Sequence, residues 1–237
     1  MTNAAARILV LAILLSAGPG GIRATAAAPE QTYALTRTIK VGGDGGWDYT
    51  TLDAAGKLLY VTRTTHTMVI DVATGKTVHD IPGTGHAHGV ALVPDVGRGF
   101  ISDGKGGDVV VFDLNTGATL GRVPAAEDAD GIIYDPASNK VLVMCGRAHQ
   151  MVAIAPDVDM KAGKASATVD LGGSPEFAVA DGKGRVYVNI VDNDEVAVVD
   201  THAMKVIARW PLAPLSAISP LQRIPFHHRQ HFVHMVF

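Results

Sequence analysis

Val69-Ile70-Asp71-Val72-Ala73-Thr74-Gly75-Lys76 returns as Val111-Phe112-Asp113-Leu114-Asn115-Thr116-Gly117-Ala118, with the two aspartates 42 positions apart. A third copy, Val198-Val199-Asp200-Thr201-His202-Ala203-Met204-Lys205, keeps the frame but carries Met204 where the others have glycine. Ala153-Ile154-Ala155 stands one period after the Asp113 copy, and an insertion from Pro156 to Gly163 follows it. A second register agrees. Val93-Pro94-Asp95 and Tyr134-Asp135-Pro136 carry prolines 42 positions apart, and Ala180-Asp181-Gly182 comes one insertion later.

Within one period the apolar, β-branched residues fall into four short runs separated by Gly, Asp, Asn and Pro. In the second period these are Gly89–Val93, Gly99–Ser102, Asp108–Asp113 and Ala118–Val123. Runs of this length between turn formers read as strands. The Asp-x-x-Thr-Gly segment joins the third run to the fourth. Glycine supplies a positive φ there, and the aspartate bonds back onto the turn backbone. Four antiparallel strands in a repeat of roughly 40–45 residues are the mark of a β-propeller blade. A sandwich explains strands but not a period. The fold class is therefore all-β, with full blades at about 47–81, 88–123, 130–171 and 175–210.

Leu59-Tyr60-Val61-Thr62-Arg63 and Val186-Tyr187-Val188-Asn189 resemble the second-strand motif of the YVTN-repeat propellers, the family of exported proteins of the YncE type. The likeness runs over residues 33–213. It implies a ring of about seven blades and kinship with quinoprotein-like oxidoreductase subunits and lactonase-like hydrolases. The expected role is binding of a protein or small-molecule partner, with no catalytic residue assigned.

Ala34 to Gly42 reads as an orphan outer strand, of the kind that completes the last blade of a closed ring. Beyond Pro214 the pattern stops: residues 214–237 hold no Gly, Asp or Glu, but include His227, His228, His231 and His234. This tail reads as the product of truncation or a frameshift, and the four blades as an open arc. The start is equally distinct. Arg7, the apolar run Ile8 to Ala17 and Ala24-Thr25-Ala26 form a secretory signal over residues 1–26. Ten apolar residues fall short of the roughly 20 that span a bilayer. A periplasmic or secreted protein is expected, with no membrane span once the signal is removed.

Composition narrows the chemistry. The 237 residues carry a formal charge of −3, which offers no basic field for nucleic acid. The single cysteine, Cys145, excludes an internal disulfide and covalent c-type haem, and its apolar neighbours suggest a buried, inert thiol. There is no Gly-x-Ser-x-Gly elbow, Walker loop or His-Glu-x-x-His, and Gly104-Lys105-Gly106-Gly107 reads as a hairpin between strands.

In a propeller the blade-to-blade loops share one face with the second-to-third strand hairpins. Aligning the repeats puts Trp47, His88, Asp130 and Glu176 at equivalent inner-strand entry positions, with His86 and Asp128 two residues ahead of His88 and Asp130. The hairpins of that face carry Arg63 and His66, Asp103 and Lys105, Arg147 and His149, and Asp192 and Asn193. The candidate ligand-binding residues are Trp47, Arg63, His66, His86, Arg147, His149, Asp192 and Asn193. His88, Asp130 and Glu176 have the donor types of a divalent metal site, which could polarise an ester or lactone carbonyl. Solvation of a funnel by the same polar groups is the plainer alternative.

Overall fold

A computed structural model describes residues 37–43 and 45–212; the expected signal at 1–26 and tail at 214–237 lie outside the described residues. The chain divides into two compact units, Met1–Thr38 and Ile39–Phe237, and every strand named below belongs to the second.

Sixteen strands are described, in four antiparallel sheets of four, each running in chain order from inner to outer edge. The first holds β1 (Trp47–Leu52), β2 (Leu58–Arg63), β3 (His66–Asp71) and β4 (Thr77–Pro82). The second holds β5 (Ala87–Val93), β6 (Arg98–Asp103), β7 (Asp108–Asp113) and β8 (Thr119–Pro124). The third holds β9 (Ala129–Asp135), β10 (Lys140–Cys145), β11 (Gln150–Ile154) and β12 (Ala167–Asp170). The fourth holds β13 (Pro175–Ala180), β14 (Arg185–Ile190), β15 (Glu195–Asp200) and β16 (Lys205–Pro211). Apart from a 3₁₀ turn at Pro94–Val96, the described fold is all β: a propeller-like arrangement of four blades.

The repeated turn forms as its sequence requires. Oδ1 of Asp71 accepts from the Thr74 amide and hydroxyl at 2.6 and 2.8 Å, and Asp113 does the same for Thr116 at 2.9 Å each. Gly75 and Gly117 follow with φ of 74° and 71°. In the fourth sheet Asp200 accepts from the His202 and Ala203 amides, and Met204 takes the left-handed position at φ 50°. The turn thus survives loss of its glycine at the strain that a side chain with positive φ carries.

Alternate residues of each sheet pack into a neighbour. Tyr60, Val69 and Ile81 meet Val90, Ile101, Val110 and Phe112 between the first and second sheets. Phe100, Val109 and Val111 join Val141, Val143 and Val152 between the second and third. Leu142, Met144 and Met151 join Val186, Val188 and Val199 between the third and fourth. A polar tie crosses the last seam, where the Thr201 hydroxyl donates to buried Asp135 at 2.7 Å. The insertion at 156–163 folds back onto the second sheet, with Val158 in the shared core and Met160 against Gly121. The first and fourth sheets meet through Tyr49, whose ring lies 5.2 Å from that of Phe177.

The described part of one expected strand, residues 37–42 of Ala34 to Gly42, carries no strand; residues 34–36 lie outside the described residues. Residues 37–43 have no strand pairing, and Ile39 and Val41 instead pack on Val61, Met68 and Ile70 of the first sheet. Gly42 and Gly43, at φ of 58° and 80°, end the extended run, so its apolar residues act as cover rather than as a ladder.

Candidate functional site

The inner strands β1, β5, β9 and β13 share an irregularity. Each ladder skips register just after its first pair, between Trp47 and Thr50, Ala87 and Val90, Val143 and Cys145 (the partners of Ile132 and Ala129), and Pro175 and Ala178. A bulge frees residues from the ladder and re-aims their side chains. The second residues of the four strands, Asp48, His88, Asp130 and Glu176, all fall in it. The backbone oxygens so released are taken up by hydroxyls. The Thr62 hydroxyl lies 2.9 and 2.8 Å from the Tyr49 and His88 carbonyls, which share its one proton, and the Gly89 amide donates to the Ser102 hydroxyl at 3.0 Å.

This corrects one equivalence read from the repeats. Trp47 aligns with Ala87, Ala129 and Pro175, each being the first residue of its strand, and its side chain is 68% exposed. Asp48 is the partner of His88, Asp130 and Glu176. A slip of one residue moves a strand side chain to the opposite face. The sequence holds the correct count: Asp48, His88, Asp130 and Glu176 each precede Asp53, Val93, Asp135 and Asp181 by five positions.

Three sheets deliver their donors to one place. Nδ1 of His88 is 2.7 Å from Oδ2 of Asp48 and 3.3 Å from Oδ1 of Asp130. One donor atom from each of the three residues lies within 4.8 Å of the others. The His88 side chain is only 9% exposed, and its Nε2, like Oδ1 of Asp130, is a buried polar atom with no hydrogen-bond partner. Gly104 makes room for the imidazole, since a Cβ there would stand 2.5 Å from Nε2. The fourth member sits beside this trio: the Tyr49 hydroxyl donates to Oε1 of Glu176 at 3.5 Å.

The electrostatics follow from crowding acids in a half-buried space. Burial, with the charges of Glu176, Asp48 and Asp128, pushes Asp130 up to about 7 against the pull of His88. Burial and the Asp48 charge also raise Glu176. Burial opposes the imidazolium form of His88, but the Asp48 hydrogen bond and the Asp130 charge outweigh it and raise its pKa. Tyr49 is raised far, by burial first and then by Asp130 and Glu176, which keeps its phenol a donor. A pocket that disfavours its own negative charge is suited to a cation.

The other candidates surround this cluster or serve elsewhere. His86 is exposed and stacks edge-on against His88 at 4.3 Å between centroids. Arg147 stands 3.8 Å from Glu127 and 4.0 Å from Asp128 on the rim. His149 has a left-handed φ of 55° and faces Asp192 at 4.0 Å. Asp192 accepts from the Ser174 amide, and Asn193 donates to the Gly172 carbonyl, so both hold loop backbone. His66 lies beside Thr65 and Asp80, toward the outer edge of its sheet. Arg63 is 6% exposed, and its guanidinium donates to the carbonyls of Gly42, Gly43, Gly45 and Gly46 at 2.8–3.1 Å. Asp103 is buried under the Gly85, His86 and Gly106 amides and Arg122. Cys145 is fully buried, and burial pushes its thiol up to about 12. Among the described residues no helix is long and apolar enough to cross a membrane.

No known family's pattern matches the chain, and no curated protein matches it in sequence. Among solved structures it is similar to Kuenenia stuttgartiensis hydrazine synthase, at 14% identity and a TM-score of 0.62. The match covers 75% of this chain and 52% of that one, so the chain spans about half the length of the protein it resembles. A likeness at this identity is one of fold alone.

Proposed function

We propose that this chain is an exported propeller of the YVTN-repeat type that binds a small ligand at the entry face of its inner strands, through a divalent cation. The observation that carries this reading is the convergence of Asp48, His88 and Asp130 from three successive sheets, with donor atoms within 4.8 Å of one another. Two carboxylates and an imidazole suit Mn²⁺ or Zn²⁺. Oδ1 of Asp130 makes no hydrogen bond and has only the His88 imidazole at 3.3 Å, which leaves a buried acceptor for such an ion. The signal-like residues 1–26 support export, and the related motifs Tyr60-Val61-Thr62 and Tyr187-Val188-Asn189 support the family.

Titration calorimetry of the full chain with Mn²⁺ and with Zn²⁺, after chelator treatment, tests the cation. One site per chain is expected, and its absence for both ions sinks the reading. A second reading, a lactonase-like hydrolase, is favoured by Glu176 beside the cluster, a carboxyl whose pKa is raised by burial and the Asp48 charge and which accepts from the Tyr49 hydroxyl. In that case Asp48, His88 and Asp130 would hold a cation that would supply Lewis-acid polarisation of the carbonyl, and Glu176 would carry the proton between the attacking water and the leaving oxygen. A panel of lactones assayed with the loaded protein separates an enzyme from a binder.

A further inference from the structure

A cavity of about 810 Å³ runs along β1, β5 and β9 and is walled by Tyr49, Leu52, Leu92, Tyr134 and Phe177. We propose that it is a second binding site, for an uncharged, ring-bearing small molecule. Its volume falls in the range that holds such ligands, roughly 300–1,000 Å³.

The polar groups of the wall decide what enters. The Thr51 hydroxyl already donates to the Val90 carbonyl at 2.8 Å, and the Tyr134 hydroxyl donates to Asn139 at 2.9 Å. The Asp53 carboxylate accepts from the Lys57 and Leu58 amides at 2.6 and 3.1 Å. The Tyr49 hydroxyl is already bonded to Glu176, and the Tyr49 ring lies 5.2 Å from that of Phe177, both residues lining the cavity. Among the described residues no Lys, Arg or His lines the cavity, so an anionic ligand finds no counter-charge there and is disfavoured by its own desolvation, while a cation meets only Asp53, whose Oδ1 already accepts from two amides. Flat apolar faces find the tilted rings of Tyr49 and Phe177. The site is distinct from the cation cluster, because Asp48, His88 and Asp130 are not among the residues that line it.

The test uses the neutral fluorophore N-phenylnaphthylamine, titrated into chelator-treated full chain so that no cation takes part. Saturable enhancement at one site per chain is expected. Two variants at exposed wall positions should each weaken it roughly tenfold: Leu52→Glu, which puts a charge in the wall, and Ala55→Trp, which fills the mouth. Val78→Glu, an exposed apolar residue outside the wall, should bind the probe as the parent does. Unchanged circular dichroism melts establish that the variants fold. The proposal is overturned if the parent chain shows no saturable binding, or if either wall variant keeps the parent's affinity. The probe is read without any cation and the cation by calorimetry without the probe, so failure of the cation reading and failure of this one give different results.

Discussion

Nδ1 of His88 lies 2.7 Å from Oδ2 of Asp48, a carboxylate from the neighbouring sheet, although 40 residues separate the two in the chain. Asp130, from the sheet on the other side, approaches the same nitrogen at 3.3 Å. The repeat therefore brings one residue of each of three periods to one point, and the bulge in each inner strand aims it there.

Asp48→Asn should lower Mn²⁺ affinity at least about tenfold, the scale seen even for outer-shell partners of metal ligands. Trp47→Ala, one residue away, should leave it unchanged, since that indole is 68% exposed. Titration calorimetry reads both. Equal losses, or a loss for Trp47→Ala alone, would put the site on the other face of β1.

The blades are legible in the sequence because each turn carries its own chemistry. Asp71, Asp113 and Asp200 bond their turns in the same way, and a repeat multiplies that weak signal. His88, Asp130 and Glu176 follow from the same period. Asp48 is masked by Trp47, an aromatic that looks like a binding-face residue; counting five positions back from Asp53 selects the aspartate instead. Arg63 looks like a ligand-binding cation, but its partners are four glycine carbonyls about 20 positions upstream. Backbone acceptors leave no trace in residue type, so that clamp is visible only in three dimensions.

Arg63→Ala should lower stability by about 1.5–3 kcal/mol, the range for hydrogen bonds to a charged group. Arg63→Lys should recover less than half of the loss, because an ammonium cannot reproduce a planar fork that reaches four carbonyls. Urea unfolding measures both. Unchanged Mn²⁺ affinity in both variants would separate this clamp from a ligand-binding role.

Asp103 gives a pH dependence with a definite sign. Burial alone would raise its pKa, but the amides of Gly85, His86 and Gly106, with Arg122, hold it below the ordinary 3.8. A depressed folded pKa adds stability that is fully present above the unfolded value and is lost as pH falls through the folded one. Asp103→Asn should therefore cost about 1–3 kcal/mol near neutral pH. The gap to the parent should shrink once pH drops below 3.8. Unfolding curves across the acid range check this, and a gap that widens toward acid would reverse the assignment.

Gly131, the residue after Asp130, lies where two inner strands come closest. A Cβ there would stand 2.4 Å from the backbone oxygen of Glu176, and a backbone atom cannot swing aside as a side chain can. Gly131→Ala must push β9 and β13 apart, at a cost of about 1–3 kcal/mol from overpacking. Gly121→Ala is the matched control. It lies in β8, and the Cβ would meet only Met160, at 3.5 Å, which is ordinary contact. That variant should be neutral or slightly stabilising, because alanine loses less chain entropy than glycine on folding. Urea unfolding of the pair distinguishes a close approach of strands from a general intolerance of alanine. Gly131→Ala should also weaken Mn²⁺ binding, since β9 carries Asp130 and its shift moves one donor away from Asp48 and His88. A destabilised variant that binds the ion as tightly as the parent would show that the cluster does not depend on the spacing of β9 and β13.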